Sequence, residues 1–351
     1  MIYYLNAICS NKDKIWGIAS DGLIYEINMQ NKTMEMVHWI SEIDESKDFK
    51  FPIMLYVNDR IIIAPNIGNK FWLFNPFIRD SVCLSDICTD SFSDYYECDD
   101  KIYFIGRNCT SIAIYHKNEC NIEVKKLFEN NDYVAQAETR GGCILDKKDN
   151  EICSFVYGAK QIDVLNLADN LQKVKTIKFK QPVAFAHIID NDLIIVTVDG
   201  KFWLENNGTL QKITMPSKAN KCKSAPFHYW MRINGGIIFM PCGMNMILFY
   251  KDREIVDISS SSTEINQYGQ CGIYPCCKYY DNKIVGFPRY EDCLYEIDIE
   301  NKIIKKFVLS VTANQEITTR FVHRQSEQGC IIVENENGIS LNNFLQAIGK
   351  V

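Results

Sequence analysis

The sequence predicts an all-β propeller, and three observations support that fold. A turn followed by an apolar run recurs along the 351 residues, each repeat contains four short strand-like segments, and the second segment of each repeat is apolar on both faces. Repeats of roughly 40–50 residues with four strands each are typical of propeller blades.

The repeat is defined by a turn-forming pair of residues that precedes the apolar run. Examples are Asn58–Pro65, Asn191–Thr197 and Asp281–Pro288. One branched residue anchors each unit, and the eight anchors are Ile15, Ile61, Ile102, Ile152, Leu193, Ile237, Ile284 and Ile331. Their spacings lie between 41 and 50 residues, with a mean of about 45, and such a period indicates a repeat architecture.

Each unit is expected to contain four strands in the same order. A mixed first strand, such as His228–Ile233, leads through a tight Asn, Asp or Gly turn into the apolar second strand, as in a hairpin. Second strands such as Leu193–Val196 do not alternate, so both of their faces must be buried. Neighbouring blades would cover both faces, whereas a two-layer sandwich would show alternation. A loop, a third strand such as Leu23–Asn28 and a more polar fourth strand complete the unit.

The end of the chain departs from this pattern. The eighth unit is truncated after two strands, and Ser340 is placed to cap a short helix predicted over residues 340–349. The sequence therefore predicts a ring of seven or eight four-stranded blades, with eight slightly favoured, and a short C-terminal helix. Residues 1–351 are expected to form a single domain, because the serine run Ser259–Ser262 fits a loop between blades.

Composition argues against two classes of partner. The net charge is −6 and the lysines are scattered singly or in pairs, so the clustered basic surface that nucleic acids need is missing. No stretch approaches the roughly 18 uninterrupted apolar residues of a membrane span. Met1–Lys14 has no basic start followed by an apolar run, which argues against a signal peptide. We expect a cytoplasmic protein that binds no nucleic acid and does not insert into membranes.

The fifteen cysteines are interpreted as buried thiols that act as small apolar side chains. Cys271, Cys276 and Cys277 could suggest a metal site, with His228 as a fourth ligand, but the paired spacing of zinc ligands is missing. The five histidines fall in five different units. The sequence therefore predicts no metal, no cofactor and no disulfide.

Three segments resemble a known group of propellers. The blades of one group of propellers read roughly as an apolar strand, a proline, a short loop and then Ile-x-hydrophobic-Tyr or Phe. The segments that match this pattern most closely are Ile61–Phe74, Ile237–Tyr250 and Ile284–Ile297, and the opening Tyr3–Ala7 also fits. They are similar to bacterial propeller proteins found near polysaccharide-biosynthesis genes. The chain lacks the Gly-His and Trp-Asp pattern of WD40 blades, and paired glycines occur in only two units, unlike regular kelch repeats. The resemblance implies a setting in polysaccharide biosynthesis.

Propeller topology determines which residues can share a site. The loops that lead into each innermost strand, and those between second and third strands, lie on one face, where functional residues are expected to gather. The richest segment is Pro226–Arg232, at the predicted start of an innermost strand. The equivalent places in other units are predicted to hold Tyr95, Tyr96, Glu138, Arg140, Tyr274 and Arg320. The candidate ligand-binding residues are His228, Tyr229, Trp230, Arg232, Tyr95, Tyr96, Glu138, Arg140, Tyr274, Arg289, Tyr290 and Arg320.

Aromatic rings beside Arg, His and carboxylates suit a sugar or a sugar phosphate, because rings stack on pyranose faces and guanidinium groups bind anions. The alternative is that these side chains fill the channel and pair with one another. Catalytic carboxylates are also conceivable at Glu291-Asp292, whereas Asp99-Asp100 occupies a hairpin position. The sequence has neither a serine nucleophile elbow nor a phosphate-binding glycine loop.

The leading hypothesis is a noncatalytic recognition module that binds a glycan, a sugar phosphate or a protein partner at the loop-rich face. One alternative is a carbohydrate-active lyase or hydrolase at the channel mouth that uses Glu138, Glu291 or His228. A second alternative is a scaffold for biosynthetic proteins.

Overall fold

The computed structural model describes the strands of seven sheets and part of the connections between them. The described residues are 5–19, 21–42, 51–66, 69–88, 91–97, 100–106, 111–126, 141–145, 151–156, 158–166, 172–189, 192–206, 208–217, 226–233, 235–241, 244, 246–259, 276–287 and 293–327. The truncated eighth unit and the helix predicted over residues 340–349 lie outside this set.

The described residues form six sheets of four strands and one sheet of five, in chain order. The first sheet contains β1 (Leu5–Ser10), β2 (Ile15–Ala19), β3 (Leu23–Asn28) and β4 (Thr33–Trp39). The second contains β5 (Ile53–Val57), β6 (Arg60–Ala64), β7 (Trp72–Asn75) and β8 (Asp80–Cys83). The third contains β9 (Phe92–Glu97), β10 (Lys101–Gly106), β11 (Ser111–His116) and β12 (Asn121–Lys126). The next two contain β13 (Gly141–Leu145), β14 (Glu151–Val156), β15 (Gln161–Asn166), β16 (Gln172–Lys178); β17 (Val183–Ile189), β18 (Asp192–Thr197), β19 (Phe202–Asn206) and β20 (Thr209–Lys212). The last two contain β21 (Phe227–Ile233), β22 (Gly236–Pro241), β23 (Leu248–Lys251), β24 (Glu254–Asp257); β25 (Cys276–Tyr280), β26 (Lys283–Phe287), β27 (Cys293–Asp298) and β28 (Ile303–Val308).

The sheets are blades arranged in a closed ring. The first strand of each blade is innermost, because first strands contact one another across blades: β1 with β5, β5 with β9, β9 with β13, β13 with β17, and β21 with β25. The fifth and sixth blades share an apolar cluster that includes Phe185, Phe202 and Phe239. The contact of β1 with β25 closes the ring.

Burial follows the predicted order of strands. Every residue of the second strands β18 and β22 is buried, whereas every residue of the outermost strand β20 is exposed. The prediction that second strands are buried on both faces is confirmed for these blades. Their covered faces supply the apolar area that stabilises the ring, at roughly 25 cal/mol per Å² of buried apolar surface.

The tight turns between first and second strands also follow the sequence. Asn58 and Asp59 have φ values of 48° and 61°, and Asp281 and Asn282 have values of 48° and 60°. Two successive left-handed residues are characteristic of the two-residue hairpin turn that matches strand twist, and Asn and Asp tolerate this conformation best. In the second blade the hydroxyl of Tyr56 donates a hydrogen bond of 2.9 Å to Asp59 and so covers its turn.

The ring closes differently from the expected pattern. After β28 the chain forms β29 (Ser310–Thr312), which pairs in parallel with the outer edge of β4 and gives the first blade a fifth strand. The side chain of Lys32 in the first blade lies 4.0 Å from the ring centroid of Phe307 in the last blade. The first and last blades are thus joined at the rim as well as at the centre.

A helix, α1 (Gln315–Glu327), follows β29 directly. It begins after Asn314, whose Oδ1 accepts hydrogen bonds from the backbone N–H groups of Glu316 and Ile317. Ile317 packs against the core cluster of the first blade. The sequence analysis assigned this segment to the start of a propeller strand, and that assignment is wrong. Its run of Ile, Thr and Val residues, which favour strands, concealed the Asn cap.

The parallel strand β29 should contribute measurably to stability. Val311 packs against the core of the first blade, whereas Val308, in the adjacent β28, is 69% exposed. We expect Val311→Asp to lower the free energy of unfolding by about 1–2 kcal/mol, because a half-buried valine loses its apolar contacts. Val308→Asp should leave it nearly unchanged. Chemical denaturation of both variants measures the change. An equal loss of unfolding free energy in the two variants would contradict a stabilising role for β29.

Candidate functional site

Strand order gives the propeller two unlike faces. The turns between first and second strands and between third and fourth strands lie on one face, called the hairpin face below. The other connections lie on the opposite, loop-rich face. The four longest connections between successive described strands are 40–52, 127–140, 213–226 and 258–275, and each links the fourth strand of one blade to the first strand of the next. The longest connections therefore begin and end on the loop-rich face, where the sequence analysis expected functional residues to gather.

Four innermost strands share a register break near their loop-rich ends. In β1 the pairing passes from Leu5 to Ala7, so Asn6 is an extra residue. The same break occurs in β9, β17 and β21, where the extra residues are Ser93, Ala184 and His228. A β-bulge of this kind redirects a side chain, and bulges are frequent at rims and beside active sites. The repeat has therefore placed an irregular residue at the same end of four innermost strands.

Asn6 shows what such a position does to a polar side chain. It is 9% exposed, and its Nδ2 has no hydrogen-bond partner among the described residues. A buried amide nitrogen without a partner costs roughly 1–3 kcal/mol. The bulge in β1 therefore holds a hydrogen-bond donor that a ligand or a water molecule can satisfy.

Trp230 is placed between blades. Its ring lies edge-on to Phe185 of β17, with ring centroids 4.8 Å apart, and it packs against the apolar cluster that joins the fifth and sixth blades. This contact corresponds to the alternative in which the aromatic residues of this segment fill space and pair with one another.

Arg232 lies at the end of β21 rather than at its start. It pairs with Ile237 next to the turn of the hairpin face, so its predicted position near the loop-rich face is corrected. Its Nε donates a hydrogen bond of 2.8 Å to Nε2 of His187 in β17. The guanidinium group thus joins two innermost strands.

His187 is the residue of this region that the sequence analysis did not select. It is 3% exposed. Burial, and then the charge of Arg232, lower its pKa well below the usual value. Because Nε2 accepts from Arg232, the neutral ring carries its hydrogen on Nδ1, which has no partner among the described residues. No sequence motif distinguishes this histidine from the other four.

A second polar contact joins the same two blades on the hairpin face. Asp192, at the start of β18, accepts from Arg253 at 2.8 Å (Nε to Oδ2) and 3.1 Å (Nη2 to Oδ1). Asn206 donates to the same carboxylate. Asp192 is 6% exposed, and a bidentate Arg–carboxylate pair is among the more specific polar contacts in proteins.

Tyr95 and Tyr96 also contact rings of their own blade. Tyr95 packs against the cluster of the second and third blades, and its ring centroid lies 6.4 Å from that of Phe104. Tyr96 stacks on Tyr103 at the same distance. These contacts hold both rings in the third blade.

The remaining candidates divide into two groups. Arg320 is exposed on α1, so its predicted place at the start of an innermost strand is corrected. The backbones of His228 and Tyr229 lie in β21. The candidates outside the described residues are Glu138, Arg140, Tyr274, Arg289 and Tyr290.

Cysteine and metal chemistry give no further site within the described residues. No group of three or more His, Cys, Asp or Glu side chains there could hold a metal ion. Cys9, Cys88, Cys277 and Cys293 are buried. Burial raises the pKa of Cys9 to about 12, which keeps it protonated and unreactive at neutral pH. Within the same described part, no helix is long and apolar enough to cross a membrane.

Comparisons with known proteins identify the architecture. No family model matches the sequence, and no curated protein matches it. A solved structure of PorZ, an essential bacterial surface component of the type-IX secretion system of Porphyromonas gingivalis, is similar over 89% of this chain, with 11% identity and a TM-score of 0.58. This chain covers 39% of the PorZ chain.

Two lyase structures are similar over 82% of this chain. A streptogramin B lyase has 13% identity and a TM-score of 0.55 over 91% of its length. The virginiamycin B lyase from Staphylococcus aureus has 12% identity and the same TM-score over 94% of its length. At these identities the likeness shows a shared fold, and the chain is a β-propeller built of four-stranded blades.

Proposed function

We propose that this propeller is a noncatalytic recognition module whose binding site lies at the loop-rich mouth of the channel. The observation that supports it best is the recurrent bulge near the loop-rich ends of β1, β9, β17 and β21. Bulges disrupt a ladder and are retained where a side chain must be redirected. In three of the four strands the extra residue is polar: Asn6, Ser93 and His228.

The ligand class follows from the chemistry of these side chains. An amide, a hydroxyl and an imidazole all donate and accept hydrogen bonds without carrying a fixed charge. Such groups suit a ligand with many hydroxyl groups. Tyr229, next to the bulge in β21, adds an aromatic ring that can stack on a sugar face. A glycan or a sugar phosphate is therefore the ligand we propose, and the resemblance to propellers found near polysaccharide-biosynthesis genes agrees with this choice.

Two of the candidate ligand-binding residues are left out of the proposed site, because their side chains make contacts between blades. Trp230 and Arg232 are used to join the fifth and sixth blades. The proposed site is accordingly centred on Asn6, Ser93, His228 and Tyr229, with the loop residues Glu138, Arg140, Tyr274, Arg289 and Tyr290 as further candidates.

A glycan array that includes phosphorylated sugars tests the proposal with the full chain. We expect His228→Ala and Tyr229→Ala each to weaken binding of the best glycan by at least tenfold, because each removes a hydrogen bond or a stacking surface of about 1.4 kcal/mol or more. Tyr56→Phe, which removes a hydroxyl on the hairpin face, is the matched control and should bind normally.

Three outcomes would contradict the proposal. Equal loss of affinity in Tyr56→Phe would point to a general effect on folding. Conversion of the bound glycan to products would favour the lyase or hydrolase alternative. Absence of glycan binding together with a stable complex with a biosynthetic protein would favour the scaffold alternative.

A further inference from the structure

The outer edge of the second blade carries a concentration of exposed apolar side chains. Phe77 and Ile78, in the turn before β8, are each 70% exposed, Val82 in β8 is 56% exposed, and Ile87 beyond it is 63% exposed. Elsewhere in the described part, each outermost strand has at most two such residues, which are Val124, Val174, Leu210, Val256, Ile303 and Val308. The four residues of the second blade, called the apolar stripe below, lie before, within and after one edge strand.

This edge strand also lacks the lysines that commonly protect an edge. β8 contains no lysine, whereas β12, β16, β20 and β28 each contain at least one. Lysines on an edge oppose the addition of another strand, because a charge is costly to cover. β24 also lacks lysine, but it begins with Glu254 and ends with Asp257. Unlike the turn before β8, the turn before β24 contains no exposed large apolar residue.

The backbone of β8 is open on its outer side. Within the described residues β8 pairs with β7 alone. The N–H of Leu84 donates to the carbonyl of Phe71, so the alternation of an antiparallel ladder directs Val82 to β7 and turns the backbone groups of Ser81 and Cys83 outward. The N–H of Ser81 donates to Oδ1 of Asp80 at 2.8 Å, whereas the carbonyl of Ser81 and the backbone groups of Cys83 face the side on which a fifth strand would pair.

The first blade shows that an outer edge of this propeller accepts such a strand. β29 pairs in parallel with β4 over Ser310–Thr312. The edges of the first and second blades lie side by side, because Nε2 of His38 in β4 is 2.8 Å from Oγ of Ser81 in β8. The pairing of β29 with β4 involves only three residues of each strand.

Charge indicates the kind of strand that fits. Asp80 and Asp86 are exposed beside the apolar stripe, whereas the charge of Arg79 is matched by Glu35 at 3.1 Å. A second copy of this chain that paired through the same edge would bring two sets of these carboxylates together. A strand with basic side chains would be attracted to them instead.

We propose that β8 and the apolar stripe bind an extended segment of a partner protein in which apolar and basic side chains alternate. The segment adds to the second blade as a fifth strand. Main-chain hydrogen bonds to the carbonyl of Ser81 and to the backbone groups of Cys83 supply part of the affinity, and alternate apolar side chains cover Val82 and its neighbours. The site is on the rim, so it is independent of the glycan site proposed at the channel mouth.

A labelled peptide of nine residues that alternates valine with lysine is a suitable probe. Fluorescence anisotropy with the full chain should show binding that is at least tenfold tighter than for the matching peptide of valine and glutamate. Val82→Lys should weaken binding of the lysine peptide by at least tenfold. Val124→Lys, which places the same charge on β12, should bind it as the parent protein does.

Hydrogen exchange identifies the place of binding. The lysine peptide should slow exchange of the amide of Cys83 and leave the amides of β12 unchanged. Equal binding of the two peptides, or an undiminished affinity of Val82→Lys with an unchanged melting temperature, would overturn the proposal. A concentration-dependent dimer that disappears in Val82→Lys would also overturn it, in favour of a second copy as the occupant.

Discussion

The Trp230→Ala variant is expected to lose about 3 kcal/mol of unfolding free energy, the lower end of the range for truncating a large aromatic residue of a core, because Trp230 is partly buried. Trp230 lies edge-on to Phe185 at 4.8 Å and packs into the cluster that joins the fifth and sixth blades. Its loss leaves a cavity between two blades that the surrounding strands cannot close without moving. Urea denaturation measures the effect.

A matched control separates packing from a general effect of losing an aromatic ring. Phe77 is 70% exposed in a turn of the second blade, so Phe77→Ala should leave the free energy of unfolding nearly unchanged. A Trp230→Ala protein that unfolds like the parent but no longer binds a glycan would instead restore Trp230 to the binding site.

The specific contribution of the ring pair can be isolated by a double-mutant cycle. We expect Trp230→Ala and Phe185→Ala to be coupled by about 0.5–1.5 kcal/mol, the usual value for an edge-to-face pair beyond its buried area. Additive effects would show that Trp230 acts through the wider cluster and not through Phe185.

The sequence predicts the blades well because each blade depends on local patterns. The turn pairs at Asn58-Asp59 and Asp281-Asn282 adopt left-handed backbone conformations that Asn and Asp tolerate. The apolar second strands, such as β18 and β22, are buried on both faces, as continuous apolar runs require. Both signals lie within a few residues of each other in the chain.

Ring closure and the arrangement of the site depend on contacts between residues that are far apart in the sequence. Local sequence patterns therefore do not predict them. β29 is recognised as a strand only through its pairing with Thr33–Glu35, far earlier in the chain. Arg232 was assigned to the loop-rich face from its place in an aromatic segment, but the bulge at His228 and the turn after Ile233 set the register that places it at the hairpin face. Its partner, His187, is 45 residues away, and no local pattern connects them.

Stability of the fold should fall in mild acid because of His187. An unfolded histidine takes up a proton near pH 6.5, whereas burial and the charge of Arg232 lower the pKa of His187 in the folded protein. Below about pH 6.5 the unfolded chain therefore binds a proton that the folded chain does not. Stability is fully present above this pH and decreases by up to about 1.4 kcal/mol per pH unit, until the pH reaches the folded pKa.

His187→Gln separates this contribution from the other titrating groups. Glutamine cannot titrate, and its side-chain oxygen can still accept the hydrogen bond that Nε of Arg232 now donates to the imidazole. The variant should therefore lose less stability than the parent protein between pH 6.5 and pH 5. Burial also lowers the pKa of His38, which adds to the acid sensitivity of both proteins and cancels in the comparison. His323→Gln, at an exposed position on α1, is the matched control for the loss of a histidine.

Melting temperatures of the three proteins at half-unit pH intervals provide the measurement. If the melting temperature of His187→Gln follows the parent curve, protonation of His187 in the folded state does not lower stability. The hydrogen bond from Arg232 then does not hold the imidazole of His187 in its neutral form. If the curves separate as pH falls below 6.5, the buried neutral ring is held by a guanidinium group that repels its protonated form. The hydrogen bond that joins these two blades at the hairpin face then contributes to the acid sensitivity of the fold.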